Sequence, residues 1–172
     1  KKANDELSLF LNACHYTDQS LGKFIEEAKT KLWWNNTLIV ITADHGHRLP
    51  NPEESLARTR FKIPMLWLGG ALAKKDTVIH TLATQTDIAN TLLWQLQKPD
   101  KTFKFSKDIL APDVKSFAIY DFQNGYGYLN PESENIYDFD LDNYIKKEDT
   151  DEKLQWGKAY MQALFNDYNS RW

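Results

Sequence analysis

Apolar positions in the first thirty residues recur with a helical period. Leu7, Phe10, Leu11, Cys14, Leu21, Phe24, Ile25 and Ala28 share one stripe, which predicts a long helix over 3–31 with Cys14 on its apolar, buried face. Trp33-Trp34-Asn35-Asn36 breaks that period. The six residues from Thr37 to Thr42 are apolar and β-branched without alternation. Such a run predicts a strand buried on both faces of a parallel sheet. Residues 43–55, with Gly46, Pro50 and Pro52, predict a loop. A second apolar run from Ile63 to Leu68, closed by Gly69-Gly70, predicts another strand, with Pro64 at its start or on an edge. Val78 to His80 predicts a short connecting strand. The helical period returns over 86–97, with Ile88, Leu92 and Leu96 on one face and Thr84 or Thr86 as the capping residue.

After a loop over 98–110 the period shortens. Strands are expected over 116–122, 125–129 and 135–139, with Asn124-Gly125 as the hairpin turn. Asp149 followed three residues later by Glu152 has the spacing of a capping box, and a final helix follows with Leu154, Met161, Leu164, Phe165 and Tyr168 on its apolar side. Helices alternating with strands, followed by a small antiparallel tail, make an α/β arrangement. The whole chain is expected to form a single domain, 1–172, with an antiparallel hairpin subregion at 117–140.

Composition adds limits. The chain has 172 residues, 42% hydrophobic and 26% charged, enough for one sizeable core. A net charge of −3 gives no support for a nucleic-acid partner. No apolar run approaches the roughly 20 residues that span a bilayer, and no targeting segment is visible. A single cysteine, Cys14, excludes an internal disulfide framework. The aromatic share, 13% with six Trp, points to large buried side chains. The chain opens on Lys1-Lys2 without an initiator Met, so a piece of a longer protein is expected.

The chemistry concentrates after the first strand. Asp44 and His45 stand at a strand's carboxyl end, where α/β proteins build their sites. A carboxylate and a neutral imidazole together suit zinc or manganese. Magnesium and calcium are the alternatives, though both prefer all-oxygen shells. Gly46 permits a sharp turn that lets the two side chains converge. His47 and Arg48 follow on the same loop, and Arg58 and Arg60 precede the second strand; each could face an anionic oxygen. His15 is expected on the helix surface, His80 to be structural, Asp87 to support the first turn of its helix, and the acidic residues 148–152 to form a solvated helix start.

The segment Asn36-Thr37-Leu38-Ile39-Val40-Ile41-Thr42-Ala43-Asp44-His45-Gly46 resembles the Asp-His-Gly strand of the alkaline phosphatase and sulfatase superfamily. Ile63-Pro64-Met65-Leu66-Trp67 is similar to the strand that follows it there, and Gln85-Thr86-Asp87-Ile88 with Thr91-Leu92-Leu93 is similar to a later helix. Phe105-Ser106-Lys107-Asp108-Ile109-Leu110 also matches. Tyr120 to Tyr128 resembles the late hairpin of the lipoteichoic-acid-synthase branch. The resemblance implies an alkaline-phosphatase-like sandwich, of which this chain is the C-terminal portion, with a mixed sheet and flanking helices. It implies that Asp44 and His45 are metal ligands, and that a metal-bound nucleophile attacks a phosphate or sulfate ester, a phospholipid headgroup being one such substrate. Asp-His rather than Asp-Asn favours the phosphatase and phosphotransferase branches. The nucleophile, an acidic ligand and a substrate-binding His belong to the half that precedes this segment, and none of those motifs is present. Thr17, Thr30, Thr37 and Thr42 lie on predicted helix or strand and are not nominated as nucleophile. The chain alone is therefore expected to be inactive, with the missing N-terminal half as its partner. The resemblance also implies an extracytoplasmic domain of a membrane-anchored bacterial-type protein. A hydrolase using water as acceptor and a non-catalytic module with a vestigial metal site are the alternatives.

Overall fold

Asp5 starts the first helix by turning its carboxylate onto the Ser8 backbone N–H at 2.9 Å and the Ser8 hydroxyl at 2.8 Å, satisfying a donor that the helix itself leaves open. The computed structural model describes residues 5–50 and 56–172. The expected helix start at Ala3 and the loop positions 51–55, Pro52 included, lie outside the described residues. The chain divides into two compact units, Lys1–Thr77 and Val78–Trp172.

In the first unit, α1 runs Glu6–Lys29, close to the predicted span. Its stripe is not buried as expected. Ala28 is buried and Phe10, Leu21 and Ile25 are half-buried, while Leu7, Leu11 and Phe24 are exposed and Cys14 is exposed. Periodicity thus fixed the helix, but among the described residues its apolar side is covered only in part. After a 3-10 turn at Trp34–Asn36, β1 spans Ile39–Thr42 and β2 spans Met65–Leu68. They pair antiparallel, from Ile39 opposite Leu68 to Thr42 opposite Met65. This corrects the expectation of parallel pairing with both faces buried: β1 is half-buried, and Thr42 is exposed. A parallel pair needs a crossover, usually a helix. The described part of the β1–β2 connection holds a 3-10 turn at Arg58–Arg60 instead.

In the second unit, residues 78–80 form no strand. Val78 and Ile79 are exposed, and an apolar triplet without a ladder partner has nothing to pair with. The helix α2 spans Asp87–Gln95, with Thr86 as its N-cap but no side-chain cap bond. Asp87 does more than support that first turn. Its buried carboxylate accepts from the Thr84 N–H at 2.8 Å, the Lys107 N–H at 2.9 Å and Lys107 Nζ at 2.5 Å. Lys107 Nζ also donates to the Phe117 carbonyl at 2.9 Å and lies over the Phe117 ring, so one ion pair joins three segments.

The tail is a four-stranded antiparallel sheet in the order β3-β4-β5-β6: Ala118–Phe122, Gly125–Leu129, Glu134–Asp138 and Asn143–Lys146. Three strands fall where predicted, and β6 extends the sheet beyond the expected hairpin subregion. Tyr126 opposes Tyr137, and Tyr137 opposes Tyr144, giving a cross-strand row of rings. The helix α3, Asp151–Asn169, packs on this row through Leu154, Gly157 and Met161. A Cβ on Gly157 would stand 2.9 Å from the Tyr126 ring and 3.2 Å from Tyr128 Cβ; a glycine there lets helix and sheet approach. The expected capping box is not made, since Thr150 is the N-cap without a side-chain bond. Asp149 is drawn inward, accepting from Asn130, Ser133 and Asn135 at 2.9, 2.5 and 2.8 Å. The acidic run is therefore not wholly solvated. Nor are the tryptophans core: Trp94, Trp156 and Trp172 are exposed, and tyrosines fill the interior instead.

Candidate metal centre

The end of β1 delivers Asp44 and His45 as consecutive exposed residues. The His45 N–H donates to Asp44 Oδ1 at 2.9 Å, which folds the aspartate back over its neighbour. The His45 ring is fixed on its other side: Nδ1 lies 2.8 Å from the Gly46 carbonyl. A carbonyl only accepts, so Nδ1 carries a proton, and Nε2 is the ring nitrogen left to act as a ligand. That nitrogen stands 3.6 Å from Asp44 Oδ2. Two donors on one tetrahedral zinc, each about 2.0–2.1 Å from the metal, stand about 3.3–3.4 Å apart. The pair therefore fits a shared divalent ion, and the Nδ1–carbonyl bond is the outer support that metal-ligating histidines commonly have.

Gly46 has a different role from the turn that the sequence suggests. A Cβ at this position would lie 1.7 Å from the Arg60 carbonyl oxygen and 3.3 Å from Phe61 Cα. Close backbone approach, not a left-handed conformation, demands glycine here. The same contact brings the 3-10 turn bearing Arg58 and Arg60 against the metal pair's own bend, although the two lie more than ten residues away in sequence.

His47 and Arg48 are placed by α1. The His47 ring stacks on Phe10, with centroids 4.6 Å apart and planes 8° from parallel. Its Nδ1 accepts from the Leu49 N–H at 3.0 Å, leaving Nε2–H as the group it can offer. Arg48 pairs with Glu6. The structure thus brings Asp44, His45 and Gly46 together and binds His47 and Arg48 to the helix. Glu6 and Phe10 were not legible as partners of this loop, because nothing local in the sequence links positions about forty apart. Among the described residues, no cluster of three or more His, Cys, Asp or Glu forms, so the pair stands as part of a shell. No helix among them is long and apolar enough to cross a membrane.

Comparison with known proteins bears on the family and the fold. Residues 1–97 match the sulfatase family model. Phosphoglycerol transferase I of Xanthomonas axonopodis pv. citri is 30% identical over 108 residues, which cover 63% of this chain and 15% of that protein. The same-named protein of Xanthomonas euvesicatoria pv. vesicatoria is 27% identical over the same length and shares. The chain thus matches only about 15% of the length of these curated relatives. In fold it is similar to a crystal structure of an alkaline phosphatase superfamily protein from Vibrio parahaemolyticus. The TM-score is 0.78 at 24% identity, over 100% of this chain and 45% of that one. The expected alkaline-phosphatase-like fold is therefore present.

Proposed function

The chain belongs to the sulfatase family, and from this premise we propose that Asp44 and His45 hold a divalent metal, zinc or manganese, in an enzyme that acts on phosphate or sulfate esters. The observation that carries the reading is the 3.6 Å approach of His45 Nε2 to Asp44 Oδ2, with Nδ1 tied to the Gly46 carbonyl. When bound, such a metal activates the nucleophile and offsets charge on the transferring group. Asp44 contributes negative charge and oxygen, and His45 contributes an oriented nitrogen. His47 offers Nε2–H to an anionic oxygen of the substrate. Arg58 and Arg60 supply positive charge from the turn seated against Gly46. Arg48, held by Glu6, anchors the loop to α1 and meets substrate only when that pair opens.

Transfer to an acceptor is favoured over hydrolysis by the names of the relatives, which are phosphoglycerol transferases. The nucleophile and remaining ligands come, in this reading, from an N-terminal half of the same catalytic domain. The domain lies outside the cytoplasm, with its membrane anchor elsewhere in the parent.

Manganese titration followed by NMR tests the metal pair. Paramagnetic Mn2+ is expected to broaden the His45 imidazole signals first and to spare His15 and His80, and Asp44→Ala is expected to remove that selectivity. Equal broadening of all four histidines would overturn the site. In the enzyme that includes the upstream half, Asp44→Ala or His45→Ala is expected to lower phosphodiesterase or transferase activity by at least about a hundredfold. The 172-residue chain alone is expected to be silent. Unchanged activity in those variants would instead favour a non-catalytic role for the site.

A further inference from the structure

The second unit contains a cavity of about 640 Å3, within the range that takes small ligands. Phe117, Tyr128, Trp156 and Tyr160 form its aromatic walls, with Lys115 and Lys153 at the rim. The walls brace one another: Phe117 stacks on Tyr128 with centroids 6.0 Å apart, and Tyr160 meets Phe117 edge-on at 6.0 Å. Trp156 projects from the exposed side of α3, with 57% of its surface open.

The two lysines differ. Lys153 is neutralised, with Nζ 2.9 Å from Glu132 and 3.8 Å from Asp149. Lys115 has no carboxylate partner among the described residues; its Nζ lies 4.7 Å from the centroid of the Trp156 ring. A ring face is a weak substitute for an anion at an exposed position. Glu132 also lines the cavity, and with Asp149 it balances the two lysines, so among the described residues Lys115 is the one rim cation without a carboxylate of its own, beside an aromatic wall. A neutral ligand would leave the Lys115 charge uncompensated.

We propose that this cavity binds a small ligand with one negative charge on a flat or ring-shaped apolar body: a phosphodiester, sulfate ester or carboxylate. The body lies against Trp156 and Tyr128, and the anionic group takes Lys115 Nζ off the indole face. The site does not depend on the metal pair in the first unit.

Two fluorescent probes of nearly the same shape test this with the 172-residue chain at low salt: the monoanion 1-anilinonaphthalene-8-sulfonate and the neutral N-phenyl-1-naphthylamine. Lys115→Met keeps the apolar stem and is expected to weaken the anion about fivefold while changing the neutral probe less than about twofold. Trp156→Ala is expected to weaken both by about tenfold. Both side chains are exposed, and matching far-UV circular dichroism spectra establish that the variants keep the fold. An anion affinity unchanged by Lys115→Met would overturn the proposal. So would an unchanged response of both probes to Trp156→Ala, since the dyes would then be binding elsewhere, for instance on the open stripe of α1.

Discussion

The two units handle polar groups in opposite ways. In the first, the groups capable of chemistry are at the surface: the Asp44 and His45 side chains are 87% and 76% exposed, and the supporting ladder has two strands. In the second, several polar and charged groups that join segments are drawn inward and satisfied. Asp87 is buried with four donors around its carboxylate. Asn135 is buried while accepting from the Glu148 and Asp149 N–H groups and donating to the Asp149 carboxylate. The contrast separates two uses of a carboxylate. One that must meet an ion or a substrate stays accessible and is held by short-range bonds from its neighbours. One that joins distant segments is buried, and then every lone pair needs a donor.

The largest expected effect comes from breaking the buried pair. Asp87→Ala leaves Lys107 buried without its counter-charge, and the second unit is expected to lose about 3–5 kcal/mol in urea unfolding. A loss under about 1 kcal/mol would mean that the Phe117 carbonyl and ring suffice for Lys107.

Acid should reveal the next effect. Burial raises the Asp149 carboxyl, but hydrogen bonds from Ser133, Asn135 and Asn130, with the charge of Lys153, more than reverse it and hold it below the usual aspartate value of 3.8. A folded value depressed below the unfolded one contributes stability that is fully present above the unfolded value and is lost as pH falls through the folded one. Urea midpoints are therefore expected to fall as pH drops from about 5 to about 2, with a flatter profile in Asp149→Asn. An identical slope in the variant would assign the acid sensitivity to other carboxylates.

The smallest expected effect is on the stability of the metal pair's own unit. Asp44→Ala and His45→Ala remove exposed side chains whose bonds are to adjacent residues, so unfolding is expected to shift by less than about 0.5 kcal/mol in the metal-free chain. A larger loss would show that the pair supports the fold and would erase the contrast between the units.

Much of this was legible in the amino-acid order. The span of α1, the positions of β1 and β2, the existence of the β3–β4 hairpin and the final helix follow from periodicity and turn chemistry, which act between near neighbours; the hairpin's turn is Gln123-Asn124, one residue before the expected Asn124-Gly125, since Gly125 pairs with Phe122. Asp44 and His45 were legible too, because their convergence is local: both lie in one turn, and the bonds that orient them reach no further than Gly46. What could not be read depends on residues far apart in sequence. The antiparallel pairing of β1 with β2, the reason Gly46 must be glycine, the stacking of His47 on Phe10 and the burial of Asp149 each depend on a partner from 14 to 37 residues away. Hydrophobic pattern specifies that a face is apolar but not what covers it, which is why α1 forms as predicted and yet leaves Cys14 exposed. By itself the sequence determined most of the elements and the local convergence of Asp44 and His45. The tertiary structure alone decided which carboxylates stay open to chemistry and which are buried to join segments, because that choice depends on whether distant donors arrive to replace water.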